Sequence, residues 1–464
     1  MSTIKKLSII FIIGSFIFSV CRPAQAFWPW EKKAKAQDQS STKPVTPEAS
    51  SAPELTLEQA YRLARIQSET VAMKMEELNV AQGHLYQALD IVMPKVNFVM
   101  TRQEQDASKD VGAGAEGVGG TFTRRTTPEN KFTFSQPIFS GFKEFAMIQA
   151  SGAEKSQKRF EIRRAEETLF INVVEAFYNL AQAAKEVGIR ESTETTLEKR
   201  ILELKDRVAL GRSRESEIET ARAELKVTEA ELVDARRFEV VSRQLLEFYI
   251  GRQLTESLEE EGQSLLPVYE ESDLSGLADK RSDVRAAYEA YRIKEKNVAA
   301  AQADLFPEVK LDGNYYTERV GFRSGIDWDY TLTVDVPLFE GTETFGNIKV
   351  AASEREKEKY NYLLTKRNAE LEIQNEFEEY RSAVERAKAY EEAFQALERS
   401  YEIQEKDYRL NLVSNLDVLD ALQNLQGIHI DANVSDTDAK RRYWFLRVSL
   451  GDAPEFVSGK KNKP

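Results

Sequence analysis

Pro137-Ile138-Phe139-Ser140-Gly141 is followed, 200 positions later, by Pro337-Leu338-Phe339-Glu340-Gly341. The same offset holds without a gap through Phe145/Phe345, Ile148/Ile348, Glu154/Glu354, Phe177/Phe377, Leu197/Leu397, Ala221/Ala421, Leu225/Leu425 and Gly251/Gly451. The matches include the Pro and Gly residues that punctuate a backbone and the apolar positions that helices bury. The chain therefore carries a long internal duplication. Its two copies read as 54–267 and 268–452, each with helices and two strands.

The start of the chain reads as an export signal spanning 1–26. Lys5 and Lys6 form a basic start, Leu7 to Val20 an apolar run, and Ala24-Gln25-Ala26 a small-residue cleavage site. The run is too short for a membrane-spanning helix. Cleavage after Ala26 removes Cys21, the only cysteine, and with it any disulfide or thiolate chemistry. Lipidation at Cys21 is the alternative, but Phe18-Ser19-Val20 lacks the small residue expected before a lipidated cysteine. Residues 27–53 are a polar linker and 453–464 a flexible tail, both too poor in apolar residues to fold alone.

The 464 residues hold 64 Lys and Arg against 77 Asp and Glu, a formal charge of −13. Loss of Lys5, Lys6 and Arg22 with the signal, and of no acid, takes it to −16. Such a chain does not suit nucleic acid. With no further apolar stretch of membrane-helix length, two locations remain: the periplasm, or an outer membrane crossed by strands.

Phe142 to Leu210 contains no Pro and only two Gly, and strong helix formers dominate. Unbroken, its 69 residues would reach about 100 Å at 1.5 Å per residue. Phe345 to Leu410 repeats the pattern. Ordinary domains hold no such helices; coiled coils and helical barrels do. Arg214 to Ile250 and Ser414 to Leu450 return over half that length. Leu55 to Val92 and Leu274 to Phe306 supply the missing halves, so shorter helices are expected to stack end to end beside each long one. Apolar positions are sparse and often Ala, which predicts a thin wall rather than a solid core.

Strand signals sit between the helices. Trp328, Tyr330, Leu332, Val334 and Val336 alternate with Asp327, Asp329, Thr331, Thr333 and Asp335. Shorter alternations surround Val96-Phe98-Met100, Phe132-Phe134 and Val309-Leu311. Aromatics on one face and charges on the other suit a lipid-facing barrel with a wet lumen. Four strands cannot close in lipid, whereas three chains would supply twelve. The loop Gly112 to Gly120 reads as a flexible outer loop and not a phosphate loop, since no Gly-Lys-Ser/Thr follows.

In its Pro-Ile-Phe-Ser-Gly and Pro-Leu-Phe-Glu-Gly junctions, in Met93-Pro94 and Phe306-Pro307, and in the turn Tyr408 to Ala421, the chain resembles outer-membrane exit ducts of the TolC type. The resemblance covers Leu55 to Gly451. It implies a mainly α fold: a long α-helical barrel plus four strands per protomer in a shared, trimeric twelve-stranded β-barrel. It implies a homotrimer in outer-membrane lipid with a tunnel in the periplasm. The duct would export substrates for efflux or type I secretion. It would dock on a periplasmic adaptor (membrane fusion) protein and an inner-membrane pump of the RND, ABC or MFS type. No cofactor is implied.

The resemblance also places residues. Pro137, Gly141, Pro337 and Gly341 mark strand–helix junctions. Leu210, Gly211, Arg212, Leu410, Asn411 and Leu412 form the adaptor-docking tip; Gly211 and Asn411 are the residue types that best adopt the left-handed conformation of a tight turn. Asp417 and Asp420 match paired aspartates ringing the entrance, where crowding would raise some carboxyl pKa values; by spacing alone they are a solvated helix face. Tyr408 and Glu217 match a hydrogen-bonded latch, with Glu in place of the usual Asp. The latch arginine position is Val413, so that second link is absent.

His84 and His429 are the only histidines and lie far apart, and no nucleophile elbow or metal spacing appears, so no enzyme is expected. The competing reading is an exported coiled-coil scaffold. It explains long helices and charge, but neither the alternating aromatic strands nor the paired junctions.

Overall fold

The computed structural model describes residues 54–106, 126–259, 276–321, 323–454 and 457. The expected signal, linker and Gly112–Gly120 loop, and all but a few residues of the tail, lie outside the described residues.

After a two-residue strand β1 (Glu54–Leu55), the first repeat runs α1 (Leu57–Gln67), α2 (Glu69–Asp90), β2 (Lys95–Glu104), β3 (Thr126–Ser140), α3 (Lys143–Ala209) and α4 (Glu215–Ile250). Strand β4 (Ser257–Leu258) pairs in parallel with β1. The second repeat runs α5 (Ser282–Ala303), β5 (Glu308–Arg319), β6 (Trp328–Asp335), α6 (Glu343–Arg409) and α7 (Asn415–Ser449). Both long helices are unbroken, at 67 residues each.

Helix starts follow local chemistry. Thr56 caps α1 in a reciprocal box with Gln59, and Ser68 breaks the first short segment by capping α2 through the Val71 amide. The expected end-to-end stacking appears at two glycines. Gly251 ends α4 at φ +72°, so close to Gln67 that a Cβ would meet its Cγ at 2.5 Å. Gly451 follows α7 at φ +73° and faces the Arg281 backbone at the start of α5. Helix α3 packs against α2, α4, α5 and α7, and α6 against α5 and α7.

The expectation of a thin wall without a solid core needs correction where these helix ends meet. Tyr61, Phe170, Phe177, Tyr178, Tyr380 and Trp444 are buried in one cluster. Phe170 meets Tyr61 and Trp444 edge-on, at 5.4 and 5.5 Å between ring centroids. Each buried aromatic contributes about 1.5–3 kcal/mol. The rings come from four different helices, and no local period announces them.

All four long strands form one antiparallel sheet in the order β2-β3-β5-β6. Register places Phe98, Phe132, Tyr315 and Trp328 in one row across it, and Val96, Phe134, Gly313 and Tyr330 in the next. Trp328, Tyr330 and Met100 are 61%, 68% and 71% exposed, so no part of the described chain covers this face. The opposite face carries the row Asn97, Thr133, Asn314 and Asp329. There, Asn314 Nδ2 and Tyr316 OH donate to the Asp329 carboxylate at 2.7 and 2.9 Å. Strand β3 is longer than its alternation suggested, because it continues through Pro128 to Thr126. Among the described residues, the outer edges of β2 and β6 are unpaired.

Candidate functional site: the helical tips and the strand–helix junctions

Both long helices end in the same turn. Gly211 N–H donates to Val208 O and Arg212 N–H to Arg207 O; 200 residues on, Asn411 N–H donates to Tyr408 O and Leu412 N–H to Asp407 O. This double bond pattern requires a left-handed residue after the helix. Gly211 and Asn411 supply it at φ +70° and +60°. Leu210, Leu410 and Leu412 are about 70% exposed and Arg212 is exposed as well. The tip therefore presents apolar side chains to whatever meets it.

Asp417 and Asp420 are both exposed on the first turns of α7. Asp417 also caps its helix. Its carboxylate accepts from the Ser414 amide and hydroxyl, each at 2.7 Å, and its own amide donates to Ser414 Oγ. These bonds hold the Asp417 carboxyl below the usual aspartate range. The sequence expectation of a raised value concerns carboxylates crowded by symmetry. Within one chain the cap acts the other way.

The expected bond between Tyr408 and Glu217 is not formed. Glu217, in the first turn of α4, accepts from Ser213 Oγ at 2.7 Å, where the helix N-terminus favours a carboxylate. Tyr408 is 5% exposed within the tip cluster of Leu197, Leu204, Ile218 and Val418. Its ring centroid lies 3.8 Å from the Arg200 guanidinium carbon and 4.2 Å from that of Arg207. Val413 packs against the same cluster. Sequence reasoning missed both arginines. Their one local signal is a departure from the duplication, where positions 400 and 407 hold Ser and Asp.

The junctions differ between repeats. Pro137 lies within β3, beside a bulge, and pairs with Lys310, whereas Pro337 lies beyond the end of β6. Gly141 and Gly341 are both left-handed, at φ +63° and +72°, but only Gly141 is hemmed in, by Ala303 O and Phe306 Cβ. Leu338 and Phe339 are 92% and 88% exposed.

Each histidine has a local partner. His84 bonds Glu154 at 3.0 Å and His429 stacks on Phe394. Among the described residues no cluster of potential metal ligands occurs, and no helix is long and apolar enough to cross a membrane.

The cation efflux system protein CusC of Escherichia coli K12 is 22% identical over 274 residues, 57% of this chain and 60% of CusC. The match thus spans less than two thirds of that relative. The crystal structure of the outer membrane protein VceC from Vibrio cholerae superposes with a TM-score of 0.71 at 21% identity, covering 86% of this chain and 96% of VceC. A CusC structure superposes with a TM-score of 0.73 at 17% identity, covering 86% and 92%. The fold they share is the mainly helical one with strands for a membrane barrel. The family model described as Outer membrane efflux protein matches residues 60–252 and 274–451. That match takes in both repeats and well over half of the sequence: the chain belongs to the outer membrane efflux protein family, whose members are channels of the outer membrane and not enzymes.

Proposed function

We propose that three copies of this chain, each contributing the repeats 54–267 and 268–452, form a passive exit duct. A twelve-stranded barrel crosses the outer membrane, and the long helices line a tunnel below it. One observation carries the reading: a four-stranded sheet with one largely apolar, uncovered face and, among the described residues, two unpaired edges. Lipid tolerates no open edge, so closure needs other copies. A coiled-coil scaffold leaves the row Phe98, Phe132, Tyr315 and Trp328 without purpose. Protein extracted from isolated outer membranes is expected to have the native mass of three copies. A water-soluble monomer or dimer would remove the reading.

The duct has no energy source, so a pump of the inner membrane must drive transport, reached through an adaptor docked on the leucine-bearing tips. Asp417 and Asp420 would ring the entrance with six carboxylates, attracting cations. Replacing both with Asn, which leaves Asp417's capping acceptor in place, is expected to weaken divalent-cation block of conductance about tenfold. Unchanged block would remove the gate assignment.

A further inference from the structure

We propose that Arg200 and Arg207 are positioning residues of the entrance gate, together clasping Tyr408 and so holding the α6–α7 tip against α3. The proposal rests on the duct reading and says what keeps that duct shut. The two arginines are seven residues apart, two turns along one face of α3. Both guanidinium groups lie over the Tyr408 ring, at 3.8 and 4.2 Å from its centroid, so one ring is held by both cations.

Each arginine also reaches beyond the ring. Arg200 Nε donates to Asn415 Oδ1 at 3.0 Å, and Asn415 is the first residue of α7, two before Asp417. Arg207 donates to Asn411 Oδ1 and, at 3.4 Å, to the Tyr408 carbonyl. Two side chains of one hairpin thus hold the other at its last helical turn, its left-handed turn residue and the start of its gate-bearing helix.

Stability alone would not select this arrangement. A cation beside a helix N-terminus opposes the helix dipole. Arg200 is 7% exposed; its Nη1 donates to Glu203 at 3.1 Å, but its Nη2 has no partner, which leaves part of its desolvation cost uncompensated. The duplication diverges at the same places: Arg200, Arg207, Tyr408 and Asn415 answer to Ser400, Asp407, Val208 and Glu215. The clasp exists once per chain, directed from the first hairpin to the second. Any movement that swings α6 and α7 away from α3 must pull Tyr408 away from both arginines.

The test is open probability in planar lipid bilayers, with the thermal midpoint of each purified variant as the control for folding. Arg200→Met with Arg207→Met, and separately Tyr408→Leu, are expected to raise open probability about tenfold. Tyr408→Phe keeps the ring and should rescue closure, as a hydroxyl latch to Glu217 would not. If the double variant fails to assemble, Arg207→Gln alone, at a less buried position, carries the test. A wild-type channel whose folded arginine variants open no more often overturns the clasp alone. Equal opening of Tyr408→Phe and Tyr408→Leu overturns it too, in favour of the hydroxyl. A wild type that forms no channel takes the duct and the clasp down together.

Discussion

Gly141→Ala is expected to destabilise the assembly by about 2–5 kcal/mol, the sum of a left-handed backbone penalty and an overlap in a packed junction. The backbone at Gly141 sits at φ +63°, and the next residue, Phe142, is left-handed too, at φ +66°. An added Cβ would stand 2.4 Å from the Ala303 carbonyl oxygen and 2.9 Å from Phe306 Cβ. Neither neighbour yields easily. Ala303 is the last residue of α5, and its carbonyl accepts the Phe306 amide at 3.0 Å in the turn that starts β5. Gly341→Ala is the internal control. It meets the same backbone penalty at φ +72° but open space around the Cβ, and should cost only about 1–2 kcal/mol. Thermal midpoints of the two purified variants check the difference. Equal losses would mean that the close approach at Gly141 contributes nothing.

That contrast also shows what was legible in the sequence. The duplication was readable because its register passes through Pro137/Pro337 and Gly141/Gly341, which carry the same meaning in any fold. The long helices were readable because a run without Pro and rich in helix formers has few other solutions. The strands were readable wherever period two was clean; β3 was cut short because Pro128 and polar neighbours interrupt it. The crowding at Gly141 was not readable, since Ala303 and Phe306 belong to the other repeat. Nor was the clasp: Arg200 and Tyr408 lie 208 positions apart, and charged residues on an exposed-looking helix face carry no sign of the ring they will hold. Glu217 is a different case. Its position matched a latch, but Ser213, four residues away on its own chain, satisfies it first.

Arg281→Met is expected to cost about 1–3 kcal/mol at neutral pH, because it leaves the partly exposed Asp283 and Glu372 carboxylates and the Ser449 carbonyl without their donor. Arg281 is 2% exposed at the start of α5, where Gly451 brings the end of α7 against it. It donates at 2.7 Å to both Asp283 and Glu372 and at 3.3 Å to the Ser449 carbonyl, so one side chain joins α5, α6 and α7. Arg164, 3.9 Å from Asp283 and 4.0 Å from Glu372, offsets part of the loss but donates no hydrogen bond to either at these distances. The pH dependence carries a definite sign. Burial pushes the Asp283 carboxyl up, but the bond and charge of Arg281, helped by Arg164, outweigh it and leave the group below the usual aspartate range. A depressed carboxyl contributes stability above its unfolded value, about 3.9, and loses it as pH falls through the folded value. Burial holds Glu167 above its usual range, so its contribution runs the other way, fading as pH rises. Glu167 is present in wild type and variant alike and largely cancels from their difference. The gap in thermal midpoint between wild type and Arg281→Met should therefore be widest near pH 7 and narrow below about pH 4. Arg281→Lys, which keeps the charge but loses the planar fork, should fall between them. A gap of constant size from pH 7 to pH 3.5 would mean that Arg281 holds the seam by packing and not by charge.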